Sequence, residues 1–340
     1  MPGDVEPLSP TDDLMEMVVG GCTAQAIYTA ARLGIADVLA EGPRTADEIA
    51  VEVEAHPDGV YRLLRALTTR SIFAEQPGKR FALTPMADAL RSDAPNSVRA
   101  LVLMAGHPIT WETWGQLTHS VVTGEPAFWK LRGMRVFEYL ARDEEYADLF
   151  NQAMTFSSSI EIPTILEAYD FSRFSTIVDV GGGQGRLLAA ILQATPEAKG
   201  ILVDIESVTA SAPPVLAEAG VADRCAIQSG SFFDAVPTGG DAYVLKHVLH
   251  DWPEAKATEI LRSVRASIGE SGELLLVALV LPEDDAPHLG KVVDLDLLLE
   301  FGGRHRTTEE YRRLLAGAGF ELRRVVPTAG AASVVEAVPA

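Results

Sequence analysis

Asp179 ends an aliphatic run, Ile177, Val178 and Val180 around it, and Gly181, Gly182, Gly183 and Gly185 follow at once. Glycine lets backbone approach a ligand closely and adopts φ values that other residues avoid. A strand, a glycine turn and a helix in succession are where α/β sheets bind nucleotides. A dinucleotide fingerprint requires G-x-G-x-x-G. Counting from Gly181 puts Arg186 at its last position, and counting from Gly183 puts Leu188 there. What remains is D-x-G-x-G-x-G, whose leading acid would repel a pyrophosphate. Asp179 instead suits the ammonium or sulfonium charge of S-adenosylmethionine (SAM).

Other residues of matching chemistry recur at intervals. Asp204 stands 21 positions after Gly183 and can accept hydrogen bonds from both ribose hydroxyls. Ser231, Phe232 and Phe233 offer a hydroxyl and an aromatic wall for adenine, with ordinary core packing the alternative for each Phe and weightier for Phe233 than for Phe232. Lys246 is placed to meet adenine, ribose or the SAM carboxylate. His247 and His250 follow it closely. A neutral imidazole, with an unperturbed pKa of about 6.5, can take the proton of a substrate hydroxyl. Of the two, His250 is the expected base and His247 a packed residue. Asp251, before Trp252, Pro253 and Glu254, reads as a helix cap.

These residues need a sheet to hold them. Candidate strands cover 176–180, 200–205, 225–229, 242–246, 273–280, 321–326 and 333–337, with helices between the first six. Only a short turn separates the last two, which demands antiparallel pairing. The expected class is therefore α/β: a Rossmann-like, seven-stranded sheet of the SAM-methyltransferase type. Ahead of it, helical patterns run over 13–39, with Gly34 as a break, and over 56–69. Thr45 and Glu48 form a capping-box pattern between them, and Phe73 to Leu83 brackets a hairpin turn. Helix, helix and hairpin make a winged-helix-like outline. Long helices are expected over 97–123 and 133–169, the latter broken near Pro163. Three segments follow: a winged-helix-like domain at 1–95, with about the first 12 residues disordered; a helical linker and substrate-pocket segment at 96–172; and the SAM domain at 173–340.

Composition narrows the partners. The net charge of −20, from 28 basic and 48 acidic side chains, opposes nucleic acid or an anionic membrane. Arg62, Arg65 and Arg70 add too little positive charge to make the winged helix a DNA reader. Cys22 and Cys225 lie far apart, without metal or redox spacing. Neither a secretory signal nor a transmembrane run is apparent, so a soluble, cytoplasmic protein is expected.

With these motifs together, the chain resembles the plant-type class I SAM-dependent O-methyltransferases and their actinobacterial small-molecule and polyketide relatives. The resemblance covers essentially the whole chain. It rests on the glycine loop from Asp179 to Gly185, on the segment from Lys246 to Trp252, on Gly302 to Thr307, and on Leu83 to Pro85 after the hairpin. It implies a homodimer through the N-terminal domain, SAM as methyl donor with S-adenosylhomocysteine as product, no metal, and a small aromatic hydroxyl compound as acceptor. It also implies Gly181 and Gly183 in the cofactor loop, Asp204 on ribose, Lys246 on SAM and His250 as general base. Met154 would hold substrate, and the pocket would be lined by helices in 97–169 and by Lys291 to Phe301, Leu297 included.

Three positions depart from the family pattern. Ser231 replaces an acid in the adenine segment, while Ala278 and His305 stand where glutamates flank the base in plant members. The missing glutamates keep open a SAM-binding relative that catalyses a non-methylating step, and the winged-helix outline keeps open a regulator that senses SAM or a metabolite.

Overall fold

The computed structural model describes residues 9–340, which form two compact units. One holds the chain up to Glu112 together with Asp143–Phe156, the other Thr113–Arg142 and Ser157–Ala340. The 96–172 stretch, expected as one segment, is thus shared between them.

In the first unit, the helix Pro10–Arg32 starts at Ser9, whose hydroxyl accepts the Asp12 N–H at 3.3 Å. Residues 9–12 are therefore helical or capping rather than disordered, because Ser followed by Pro is a strong start signal; residues 1–8 lie outside the described part. Gly34, at φ +67°, separates this helix from Ile35–Val38. Thr45 caps Ala46–Glu52 by the expected reciprocal pair: Glu48 N–H to Thr45 Oγ1 at 3.2 Å and Thr45 N–H to Glu48 Oε2 at 2.7 Å. The helix Pro57–Thr68 buries Val60, Leu64 and Leu67, and Phe73–Gln76 pairs antiparallel with Arg80–Leu83. The helix–helix–hairpin order is present. By contrast, Leu14, Met15, Met17, Val18 and Val19 on the first helix are each at least half exposed.

The second unit is built on seven strands: β1 Thr176–Val180, β2 Lys199–Asp204, β3 Cys225–Ser229, β4 Ala242–Lys246, β5 Glu273–Ala278, β6 Phe320–Pro327 and β7 Ser333–Pro339. Their order is β6-β7-β5-β4-β1-β2-β3. The first five pair in parallel, whereas β7 pairs antiparallel with both β5 and β6. The chain leaves β1 toward one edge and β4 toward the other. That reversal makes a switch point at the carboxyl ends of β1 and β4, where such sheets bind ligands. Separate apolar clusters cover the two faces, one around Tyr243, Leu261 and Leu276, the other around Ile177, Leu188 and Leu275.

Several expectations need correction. No helix joins β3 to β4; a turn closed by Asp234 N–H to the Ser231 carbonyl at 2.9 Å takes its place. Residues 97–123 form three helices rather than one, Arg99–Gly106, Pro108–Trp114 and Leu117–Thr123, since Pro108 begins a new helix where the last one ends. Gly133, expected to begin a helix, ends Ala127–Arg132 at φ +70°. The helix Glu144–Ala168 runs through Pro163 unbroken, with Glu161 and Ile165 buried on either side of the proline. Packing there outweighs the hydrogen bond a proline removes. The fifth strand stops at Ala278; Val280–Leu281 instead pairs in parallel with Arg306–Thr307.

Candidate active site

The glycine loop leaves β1 directly above Asp179, which is 1% exposed. Neither Asp179 oxygen has a hydrogen-bond partner among the described residues. Burial, with the nearby Asp204 charge adding and Lys246 opposing, pushes its pKa up to about 7. Gly181 sits at φ +69°, and a Cβ there would meet Val248 Cγ2 at 2.8 Å. Only glycine lets the loop lie against the segment that carries the histidines.

Asp204 ends β2 with both oxygens engaged by backbone. Oδ2 accepts the Gly183 N–H at 2.8 Å and Oδ1 the Ile205 N–H at 2.7 Å. Burial still raises its pKa, against those two hydrogen bonds. The carboxylate is thus oriented by the glycine loop itself. Beyond β3, Ser231 Oγ accepts the Phe233 N–H at 3.2 Å, a local turn bond. Phe232 lies 4.9 Å from Phe233 and 6.0 Å from Trp252 between ring centroids. It also flanks Gly181, whose built Cβ would stand 3.4 Å from Phe232 Cε1.

At the end of β4 the side chains turn to one another. Lys246 Nζ lies 3.1 Å from Glu161 Oε2 and donates to Ser158 Oγ at 3.1 Å. His247 Nε2 lies 2.9 and 3.1 Å from the two oxygens of Glu161. Burial would raise the Glu161 pKa, but the hydrogen bond and charge of His247 and the Lys246 ammonium hold it down at about 2. Burial also lowers the pKa of His247, against the pull of Glu161. His247 is held at φ +56°, left-handed backbone that costs a non-glycine residue about 1–2 kcal/mol. Such strain collects at functional sites. His247, expected to be a packing residue, therefore joins the cluster. Glu161, 8% exposed on a helix remote in sequence, had no local signal to mark it.

His250 lies in the short 3-10 turn Leu249–Asp251. Its ring stacks 5.2 Å from that of His247 and meets His305 edge-on at 5.0 Å. His250 Nε2 is 3.2 Å from Asp251 Oδ1. Asp251 is thus not a helix cap: the helix Glu254–Ser267 begins after Pro253, with no side-chain cap bond, and the aspartate points to the imidazole. A Cβ on Gly303 would fall 1.8 Å from the His250 carbonyl, so the strand-entry turn can cross the histidine backbone only as glycine. Arg306, 1% exposed, secures the crossing with a bond to the Leu249 carbonyl and a 2.9 Å bond to Glu254. His305, 2% exposed, has its pKa lowered to about 3 by burial and by the other histidines, so it stays neutral beside His250.

Leu297, 6% exposed, lies on the helix Leu289–Glu300, which Phe301 ends. Phe301 packs 5.6 Å from Phe137, and Phe137 stacks on Trp252 at 6.5 Å. This aromatic wall carries carboxyls that the sequence reading did not single out. Trp114 Nε1 donates to Asp296 at 2.7 Å, and burial raises Asp296 to about 6 and Glu300, one helical turn on, to about 8. Met154 belongs to the other unit and is 37% exposed. Among the described residues no group of His, Cys, Asp and Glu is arranged to hold a metal ion, and no helix is long and apolar enough to cross a membrane.

The O-methyltransferase domain matches residues 114–321, and the O-methyltransferase dimerisation domain matches 15–93. Phenazine O-methyltransferase PhzM of Lysobacter antibioticus is 42% identical over 96% of this chain and 95% of its own. An 8-amino-8-demethylriboflavin N,N-dimethyltransferase of Streptomyces davaonensis is 38% identical over 91% and 90%. The structure of NcsB1, an O-methyltransferase from neocarzinostatin biosynthesis in complex with SAM and 2-hydroxy-5-methyl naphthoic acid, superposes with a TM-score of 0.83. It is 33% identical, over 94% of this chain and 96% of its own. The chain belongs to the O-methyltransferase family, enzymes that transfer the methyl group of SAM.

Proposed function

We propose that the chain methylates a hydroxyl of a small aromatic or polyketide-like metabolite, with SAM as donor and His250 as general base. The observation that carries this reading is the close approach of the glycine loop and the histidine segment at the switch point between β1 and β4. Gly181 touches Val248, which places the glycine loop beside the histidine segment. SAM, when bound, supplies an electrophilic methyl group on a positively charged sulfur.

The residues present fit that group. Asp179 presents a buried, unpartnered carboxyl suited to a cation. Asp204 is held by two backbone N–H groups with acceptor capacity to spare for ribose hydroxyls. Phe232 offers a ring face beside Gly181, and Ser231 a hydroxyl, for adenine. Lys246, held at the end of β4 by Glu161 and Ser158, is the cation we assign to SAM. No metal is called for, because alignment of acceptor oxygen with the methyl group can by itself supply about 7 kcal/mol or more.

At the acceptor end, His250 takes the hydroxyl proton as the oxygen attacks. Leu297 and Phe301 form part of the substrate wall with Phe137 and Trp252, while Met154 keeps a substrate-holding role on the strength of the family resemblance. The exposed apolar side chains of Pro10–Arg32 and the matched dimerisation domain favour a homodimer. Sedimentation of the intact chain at the mass of one protomer would remove that part. Incubation of the purified chain with labelled SAM, a chelator and a panel of phenols, naphthols and aryl amines tests the reaction. Label should pass to phenolic oxygen. Transfer only to amine nitrogen would replace O- by N-methylation, and SAM binding without transfer to any acceptor would favour a non-methylating enzyme.

A further inference from the structure

Behind His250 lies a cavity of about 10 Å³, walled by His247, His250, Leu276, Ala278 and Tyr311 among others. That is about the smallest volume that holds one water molecule. A void this small stays dry when its walls are wholly apolar; here leucine, valine and alanine side chains form most of the wall, and His247, His250 and Tyr311 supply its polar part. The Nδ1 of His247, the Nδ1 of His250 and the hydroxyl of Tyr311 are all buried without a hydrogen-bond partner among the described residues. Tyr311 is 1% exposed, so bulk solvent does not satisfy its hydroxyl. Unpaired buried polar atoms are rare, and three in the walls of one cavity call for a common partner. A buried water typically makes about three hydrogen bonds.

The donors and acceptors match. Glu161 is held ionised, so His247 Nε2 must carry the proton that bonds to it, which leaves His247 Nδ1 as an acceptor. Asp251 Oδ1 lies 3.2 Å from His250 Nε2 but makes no hydrogen bond with it, unlike Glu161 with His247. Nε2 thus stays open to a substrate hydroxyl, and a base acting there carries its proton on Nδ1. We propose that the cavity is a water site, in which one buried water accepts from His250 Nδ1–H and from the Tyr311 hydroxyl and donates to His247 Nδ1. The water then joins His250 through His247 to the Glu161 carboxylate. Tyr311 and Glu161 become positioning residues for the base, fixing its tautomer and ring orientation. Ala278 is part of the device, since its side chain ends at Cβ on the cavity wall and a longer one would fill the space. The inference rests on the role proposed for His250, but the water site and the tautomer are measurable without any acceptor.

Three measurements test it. A high-resolution crystal structure should show an ordered water within about 3.2 Å of His250 Nδ1 and Tyr311 Oη; a dry cavity overturns the proposal. Imidazole 15N spectra should place the neutral His250 proton on Nδ1, and Tyr311→Phe should shift that resonance. An Nε2–H tautomer, or a resonance unmoved by the substitution, also overturns it. In the presence of a methylated acceptor, Tyr311→Phe should lower kcat about 3–10-fold with both KM values and the melting temperature nearly unchanged. Adding Ala278→Glu, which replaces the water by a carboxylate, should restore kcat in the double variant. Full kcat in Tyr311→Phe alone would refute the positioning role, whereas an ordered water in a protein that methylates nothing would break only the reaction assigned above.

Discussion

The proposed cofactor end and the proposed base end of this site both lie at the carboxyl ends of the central strands, yet they are built in different ways. At the cofactor end the key carboxylate, Asp204, is held by backbone N–H groups of Gly183 and Ile205. Those partners come with the glycine turn and with the next residue, and they survive almost any side-chain change nearby. At the base end the partners are side chains from distant segments: Glu161 for His247 and Lys246, His305 beside His250, and Arg306 clamping the turn. Backbone support makes the first region tolerant of drift. Side-chain support makes the second depend on which residues the fold brings beside it.

Breaking the base end should produce the largest effect. His250→Ala is expected to lower the methyl-transfer rate about 10²–10⁴-fold, the range for a positioned acid or base, while SAM affinity measured by calorimetry stays the same. Near-full activity in that variant would mean that alignment alone drives transfer, on an acceptor already ionised. Breaking the cofactor end should act on binding instead. Asp204→Ala should weaken SAM binding by about 1–3 kcal/mol, the cost of leaving buried hydroxyls without a partner. Unchanged affinity would remove Asp204 from the site.

Within about one unit of pH 7, a smaller effect sharpens the contrast through pH. Asp179 has a folded pKa of about 7, above its ordinary 3.8, so the ligand-free protein holds an extra proton there between roughly pH 4 and 7. Its contribution to stability therefore falls as pH rises through that window. A cationic ligand favours the ionised form, so binding should release this proton below pH 7. SAM affinity should drop by up to about tenfold per unit below pH 7 and level off above it. Calorimetry in buffers of different ionisation enthalpy would count the proton, and Asp179→Asn should flatten the profile. An affinity independent of pH in the unmodified protein would place the cation elsewhere.

Local sequence determined much of this molecule. β1, β3 and β4 have the bounds that their aliphatic runs and flanking turns specify, and the antiparallel β6–β7 pair follows from a connection too short for any other geometry. The glycine turn and the place of Asp204 beside it were legible because they depend on spacing along the chain, and Asp204 accepts the Gly183 N–H. What misled the reading was also local: Asp251 has the pattern of a cap, and Pro163 that of a helix break. Tertiary structure overrode both, turning Asp251 toward His250 and burying Glu161 and Ile165 around the proline. Glu161 stands 86 residues from His247 in sequence, and nothing in its own neighbourhood distinguishes it from a surface acid. Only folding removes it from water beside Lys246 and His247, where ionisation and proton position follow from what is packed around each group. The small cavity behind His250 is likewise a product of packing, since a void exists only where side chains from β4, β5 and the helix Thr308–Gly317 fail to meet.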